Sequence, residues 1–474
     1  MSENCSVMGE KRAGVIGLGV SGKKISQALL KLRYHPIAFE KKRKEEFLQK
    51  EENIRFFEEN KDKMEFVFDY KTEDIIKRKE EFEFVVLSSG IKHDELAKNG
   101  INFISELDFV SQNLPENSKV ILITGTKGKG SIALITSKIL KKLGLNHFVG
   151  GNIGEVEGKV STLSDSILSD EAKKTGIFLF EVSSFQLRSS AKIHPYTLAI
   201  SCIEKDHLDY HPSFFDYFFS KIKLSTQSEF VVYSEKFAPL SRKYEVSKVI
   251  PSHIASFEKI FDVEWREKKI VIKESKNRRE IELDSEGFEI DGIELEGAKS
   301  NAICAVGILT TLINPEDLKK IKIENIQKKF SFEILGKVKV EGKDVIVIND
   351  SKSTNLISLK NAISSLKGRK IVLIAGGRVK GFSFSEIKDF LSEAEVFLIG
   401  EAKEEIAKDL GKGTICKNLE DAFRKSIEFI KKSSEKEFFL LFSPGCASFP
   451  DFESAEHRGK EFERIFRDFK ETNK

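Results

Sequence analysis

Lys129, Glu181, His207 and Lys221 are residue types that together can handle a phosphate and a hard divalent cation. Lys129 lies in VILITGTKGKGSIALITSKILKKLG, Val120 to Gly144, where an apolar run breaks into glycines and lysines. Apolar residues then return at helical spacing, at Ile132, Ile135, Ile139, Leu140 and Leu143. Strand, glycine loop and helix form the layout of a phosphate-binding loop. Backbone N–H groups free of side-chain bulk face the anion, and the helix N-terminus adds positive potential. The loop comprises Gly125, Thr126, Lys127, Gly128, Lys129, Gly130 and Ser131. A Ser or Thr normally follows the key lysine and ligates Mg²⁺. Here Gly130 takes that place, and the hydroxyl comes one residue later, at Ser131.

Glu181 ends the apolar run in GIFLFEVSSFQL, and His207 sits in EKDHLDYH, followed by Lys221 in YFFSKIKL. Carboxylate oxygen suits Mg²⁺, whereas one histidine does not make a zinc site. Taken singly, His207 reads better as a helix-start residue capped by Asp206. Lys221 taken singly could be a surface lysine like its neighbour Lys223. A second glycine turn, GLGVSG, holds Gly17, Gly19 and Gly22, and Glu40 ends the following strand. That is the outline of a dinucleotide turn with an acidic ribose contact, or of a tight strand–helix turn with no ligand. Near the other end, INDSKSTN places Asp350, Lys352 and Thr354 after one strand, GGRVKG places Lys380 after another, and SPGCASF places Ser448 after a third. Helix capping explains each loop but not their recurrence. Lysines and hydroxyls at successive strand ends suit an anionic, carboxylate-bearing substrate.

The elements that must position these residues fall into three blocks of α/β character. The first, from Ala13 to about Asn113, alternates strand-like AGVIGLG, HPIAFE and FEFVVLSSG with Lys/Glu-rich helical stretches. The second opens with KVILITG and continues through GIFLFEVSS and YTLAISCIEKDHLD; a charged meander follows between roughly Glu229 and Glu296. The third begins near Glu333 and repeats the buried-strand pattern. Open α/β sheets bind ligands at the carboxyl ends of their strands, and the polar residues stand there.

With 474 residues the chain is long enough for two to four domains. Its 78 basic and 75 acidic residues leave a formal charge of +3, which supports neither a nucleic-acid nor a membrane-surface partner. No run approaches a membrane span, and MSENCSVMGEKRAG lacks a signal-peptide core, so a cytoplasmic location is expected. Cys5, Cys202, Cys304, Cys416 and Cys446 form no CxxC pair, so neither a disulfide framework nor a thiolate metal site is indicated.

In order along the chain, GTKGKGS, GGNIG, EVSSFQL, DHLDYH, NDSKSTN, AGGRVKG and SPGCASF…RG resemble the motifs of the Mur ligases. The pairing of GGNIG with SSFQL, NDSKSTN and SPGCAS is similar to the branch that adds D-glutamate. The resemblance runs from about residue 14 to 466. It implies a three-domain architecture: a Rossmann-like UDP-binding part (1–113), a central P-loop ATPase-like part (114–332) and a Rossmann-like amino-acid-binding part (333–474). It implies an ATP-dependent ligase of peptidoglycan synthesis that joins D-glutamate to UDP-N-acetylmuramoyl-L-alanine through an acyl phosphate, with two Mg²⁺ ions. A monomer is expected.

Carried over by position, Lys129, Lys221 and His207 are catalytic. Gly125 to Ser131, Asn301 and Asp350 meet ATP, while Val20, Ser21, Glu40, Lys42 and Asn152 meet the UDP substrate. Lys352, Thr354, Lys380 and Ser448 grip D-glutamate. Glu181, His207 and a carbamylated Lys221 hold one metal, and Ser131 is a candidate for the other. Departures from the family pattern are Lys127 for Asn, Gly130 for Ser/Thr, Lys337-Val338 for His-Arg, the missing HN before Asn301, and Ala455 for an aromatic. Competing expectations are a Mur ligase for another amino acid, a folate polyglutamate enzyme, and a weakened paralogue that binds the sugar nucleotide as a regulator or scaffold.

Overall fold

The computed structural model describes residues 11–153, 155–156, 159–208, 210–233, 261–274, 279–290, 293–294, 296–326, 329–379 and 382–472. The chain divides into two compact units, Met1–Glu286 with Gly297–Asn325, and Gly287–Glu296 with Ile326–Lys474.

The first unit contains two five-stranded parallel sheets. One orders its strands Glu65–Phe68, His35–Glu40, Arg12–Ile16, Phe84–Leu87, Phe103–Ser105. The other orders Phe230–Tyr233, Thr197–Ile200, Lys119–Thr124, Ile177–Glu181, Phe148–Gly151. Strands such as Lys119–Thr124 and Thr197–Ile200 are buried along nearly their whole length, as expected where helices cover both faces of a parallel sheet. That is why they read as unbroken apolar runs rather than as alternation. In both sheets the glycine turn follows the central strand, where the strand order reverses and the connections on either side part to leave a crevice. The charged meander forms an antiparallel sheet of Phe261–Arg266, Lys269–Glu274 and Arg279–Glu286, with Ile323–Glu324 added parallel at its edge.

A shared apolar core and buried polar contacts tie the two parallel sheets together. Asp108, on the helix Glu106–Gln112, accepts hydrogen bonds from the backbone N–H groups of Ala191, Lys192 and Ile193 at 2.9, 3.0 and 3.0 Å. Ser105 Oγ lies 2.8 Å from Ser190 Oγ, and Ser164 donates to buried Glu106 at 2.9 Å.

The second unit is built on a six-stranded sheet ordered Glu333–Val340, Lys343–Asn349, Glu437–Phe442, Ile371–Gly376, Glu395–Ile399, Thr414–Ile415. Only its first pair is antiparallel. Lys337 and Val338, where the family pattern has His-Arg, lie on the edge strand. Lys337 pairs with Asp344 at 3.5 Å, and Val338 packs on the core. Among the described residues no helix is long and apolar enough to cross a membrane.

Candidate functional site

The glycine loop joins the strand Lys119–Thr124 to the helix Lys129–Lys142. Gly128 takes φ +82°, and a Cβ there would fall 2.2 Å from Asn301 Oδ1. Only glycine therefore lets Asn301, from the helix Glu296–Leu312, lie against the loop, and the position carried over from the resemblance does reach it. Thr126 is locked from beneath. Its hydroxyl lies 2.8 Å from the Tyr217 hydroxyl and accepts the Glu204 N–H at 3.0 Å. Lys129 Nζ donates to the Thr126 carbonyl at 3.2 Å. Lys127 Nζ is 3.5 Å from Glu204 Oε2, so its charge is partly offset within the protein.

Gly130 is buried in the first turn of the helix, beside half-buried Ser131. Introducing the missing hydroxyl by Gly130→Ser is expected to lower the Mg²⁺ concentration for half-maximal activity. An unchanged or raised requirement in a Mg²⁺ titration would show that Ser131 or another ligand already serves.

Lys221 is not a surface lysine: it is 2 % exposed and donates from Nζ to the Gly125 carbonyl at 2.9 Å. Burial, helped by the charge of Lys129, holds its pKa well below the ordinary lysine value, against the opposing pull of Asp206, Cys202 and Glu181. Lys223 is also more enclosed than its sequence suggests. It donates to the Arg188 carbonyl at 2.8 Å, and burial lowers its pKa to about 8.

Glu181 ends its strand at 6 % exposure. The GGN segment presses against it: the Asn152 N–H donates to the Glu181 carbonyl at 2.9 Å, and a Cβ on Gly151 would come within 2.2 Å of that oxygen. The Asn152 side chain is exposed. His207 does not start a helix. It occupies the left-handed region at φ 52°, its N–H donates to Asp206 Oδ1 at 2.9 Å, and the helix Phe214–Ile222 begins later, capped by Ser213.

Among the described residues no group of three or more His, Cys, Asp or Glu side chains could hold a metal on its own. Glu181 supplies carboxylate oxygen and His207 an imidazole nitrogen, two ligand types that a divalent cation accepts.

In the first sheet the Glu40 carboxylate is engaged by the turn it faces. Oε2 accepts the Leu18 N–H at 2.9 Å and Oε1 the Lys42 N–H at 3.1 Å. Val20 is 59 % exposed, the Lys42 amine lies 3.8 Å from Glu46, and Ser21 is half-buried. In the second unit Asp350 accepts the Phe332 N–H at 2.9 Å and the Ser443 hydroxyl at 2.7 Å, so it also anchors the start of that unit. Lys352 pairs with Glu456 at 3.2 Å, while Thr354 and Ser448 are half-buried. Lys380 lies outside the described residues. The Ser351 hydroxyl donates to the carbonyl of Ala455, the first residue of the last helix.

Two groups lie inside the quoted motifs, but nothing in the sequence shows which residues they join. Arg458, visible there only as the RG of a motif, is 1 % exposed and joins two of the loops expected to grip an amino acid. It donates to Ser351 Oγ at 3.1 Å, the Ser351 carbonyl at 2.8 Å and the Cys446 carbonyl at 3.1 Å. His211, Asp216 and Ser184 form a buried chain behind the Glu181 and His207 segments. Neither has a telling spacing, because the partners come from distant parts of the chain.

A sequence profile described as the Mur ligase middle domain matches residues 123–309. The UDP-N-acetylmuramoylalanine–D-glutamate ligase of Aquifex aeolicus is 30 % identical over 401 residues, covering 81 % of this chain and 88 % of that one. The ligase of the same name from Caldicellulosiruptor saccharolyticus is 28 % identical over 483 residues, covering 96 % and 98 %. Among solved structures, MurF from Acinetobacter baumannii superposes with a TM-score of 0.53 at 13 % identity, covering 97 % of this chain and 91 % of that one.

Proposed function

Because the chain belongs to the Mur ligase family, we propose that it is the ATP-dependent ligase that joins D-glutamate to UDP-N-acetylmuramoyl-L-alanine in peptidoglycan synthesis. The observation that carries this reading is the gathering of Lys129, Lys221 and Asn301 on one glycine loop, with Glu181 at the next strand end. Nothing favours the competing expectation of a scaffolding paralogue. The division 1–113, 114–332 and 333–474 is retained as the proposed set of working parts.

The chemistry needs activation because a carboxylate is a poor electrophile and its oxygen a poor leaving group. Transfer of the ATP γ-phosphoryl group to the L-alanine carboxylate gives an acyl phosphate. The D-glutamate amine attacks its carbonyl carbon, and inorganic phosphate leaves as the amide forms. All partners are anionic, so cationic side chains and backbone N–H groups must screen their approach. Lys129 and the loop N–H groups hold the ATP phosphates, with Asn301 and Asp350 as further ATP contacts. Val20, Ser21, Glu40, Lys42 and Asn152 hold the UDP substrate. Glu181, His207 and carbamylated Lys221 would hold one Mg²⁺, which supplies charge neutralisation when bound, and Ser131 is the candidate for a second. Lys352, Thr354, Lys380 and Ser448 take D-glutamate. We propose that the protein works as a cytoplasmic monomer.

Phosphate release, measured with and without each substrate, tests the reading. Release that requires both the UDP precursor and D-glutamate supports it, and release indifferent to D-glutamate overturns it. Within that assay Lys380→Ala is expected to raise the D-glutamate KM roughly ten- to a hundredfold, the cost of one charge-assisted contact, and to leave the precursor KM unchanged. Equal effects on both substrates would remove Lys380 from the D-glutamate site.

A further inference from the structure

His211 connects the three segments that carry Glu181, His207 and Lys221. Its side chain is 0 % exposed. Ring Nδ1 lies 2.5 Å from Asp216 Oδ2, and ring Nε2 lies 3.0 Å from Ser184 Oγ. Its backbone N–H donates to the His207 carbonyl at 2.9 Å. Ser184 stands three residues after Glu181, and Asp216 lies on the helix Phe214–Ile222 that carries Lys221. One ring is thus bonded to the helix Ser184–Ser189 that follows the Glu181 strand and to the helix of Lys221, while its own backbone closes the turn of His207. The face of the ring adds a further link. It stacks on Phe185 at 5.9 Å and 12°, and Phe185 meets the His207 ring in a T-shaped contact at 4.8 Å.

The hydrogen-bond partners fix the tautomer. An ionised Asp216 can only accept, so Nδ1 carries the proton and Nε2 accepts from the Ser184 hydroxyl. Burial lowers the pKa of His211 despite the opposing attraction of Asp216, which keeps the ring neutral. Arg188 Nε in turn reaches Asp216 at 3.3 Å and holds its orientation. The Ser–His–Asp order is that of a nucleophilic triad, but Ser184 is 1 % exposed and His211 is enclosed, so no substrate carbonyl can approach. The same bonds serve instead to hold surrounding groups still.

We propose that His211 is a positioning residue that sets Glu181, His207 and Lys221 in register to bind the divalent cation. The proposal rests on the metal reading given above and extends it to a residue that never touches the ion. Supports of this kind alter metal affinity by about 10- to 100-fold when removed.

The experiment titrates the full-length protein with Mn²⁺, followed by electron paramagnetic resonance, alongside thermal melting. His211→Phe keeps a ring against Phe185 but loses both side-chain hydrogen bonds. Ser184→Ala removes a single hydroxyl and serves if His211→Phe does not fold. Both are expected to weaken Mn²⁺ binding, by about tenfold or more for His211→Phe. His211→Gln, which can still pair with Asp216 and Ser184, should recover part of the loss. Glu181→Gln in parallel tests the underlying reading. If Glu181→Gln leaves Mn²⁺ binding intact, the metal site itself is misassigned and the proposal falls with it. If Glu181→Gln abolishes binding while folded His211→Phe or Ser184→Ala binds as wild type, the proposal alone is overturned. A lowered melting temperature at unchanged Mn²⁺ affinity overturns it too, since the residue would then serve stability only.

Discussion

Lys221→Ala is expected to abolish ligation while leaving the protein folded. Nζ is buried and bonded to the Gly125 carbonyl, so truncation removes a group aimed at the floor of the phosphate loop. As an ammonium, Lys221 would repel Mg²⁺ and offer no lone pair. The lowered pKa produced by burial and by Lys129 leaves more of the amine neutral, the form that attacks CO₂. In the proposed carbamylation a nitrogen–carbon bond would form, one proton would be released to solvent, and the product would be an anionic carbamate with the hard oxygen donors that Mg²⁺ prefers. The carbamate nitrogen would keep one hydrogen with which to donate to the Gly125 carbonyl. Losing this charge should reduce turnover by about a hundred- to a thousandfold or more, the scale at which one preorganised charge acts. Added formate or acetate should restore part of it by placing an oxygen in the vacated space. The measurement is turnover of Lys221→Ala in bicarbonate-free buffer with and without the added acid. Substantial activity without it would show that Glu181, His207 and water suffice.

Arg458→Ala should cost the second unit about 3–5 kcal/mol, the scale for truncating a large buried side chain to leave a cavity and unpaired carbonyls. Its guanidinium supplies hydrogen bonds to two carbonyls and one hydroxyl at 2.8–3.1 Å. Burial lowers its pKa to about 10, which leaves it protonated at neutral pH. At about 2–4 °C per kcal/mol, the melting transition of that unit should fall by roughly 6–20 °C. Arg458→Lys should not restore it, because a single ammonium cannot reproduce three divergent bonds from a planar fork. The anchored residues Ser351 and Cys446 stand next to or near Lys352 and Ser448, so the D-glutamate KM should rise as well. A melting temperature within about 2 °C of wild type would refute this account.

The groups proposed to meet substrate are legible in the sequence because each stands at or shortly after the end of an apolar strand, where α/β sheets place ligands. Lys129, Glu181 and Lys352 are of this kind. Asn301 is reached only through the resemblance, since its surroundings in EGAKSNAI break the family pattern, yet it lies against Gly128. The groups that hold those loops are not legible. His211 and Ser184 are 27 residues apart, and Arg458 and Ser351 are 107 apart; no local periodicity records such meetings. His207 read singly misleads, because a left-handed residue followed by a separate capped helix looks in sequence like one helix start. Lys223 misleads in the same way, its burial being set by the distant Arg188 carbonyl.

The contact between Asp108 and the N–H groups of residues 191–193 also sets a timetable for the nascent chain. The carboxylate and its furthest donor are 85 residues apart. At a synthesis rate of about 5–20 residues per second, roughly 4–17 s pass between making Asp108 and making Ile193. During that interval the first sheet is complete in sequence, but Phe109 and Val110, which belong to the core shared with the second sheet, still lack much of their cover. The first part of the chain must therefore wait on the ribosome in an unfinished state. Its apolar surface in that window is a natural site for chaperone capture, and slowing translation between residues 108 and 193 should lengthen the exposure.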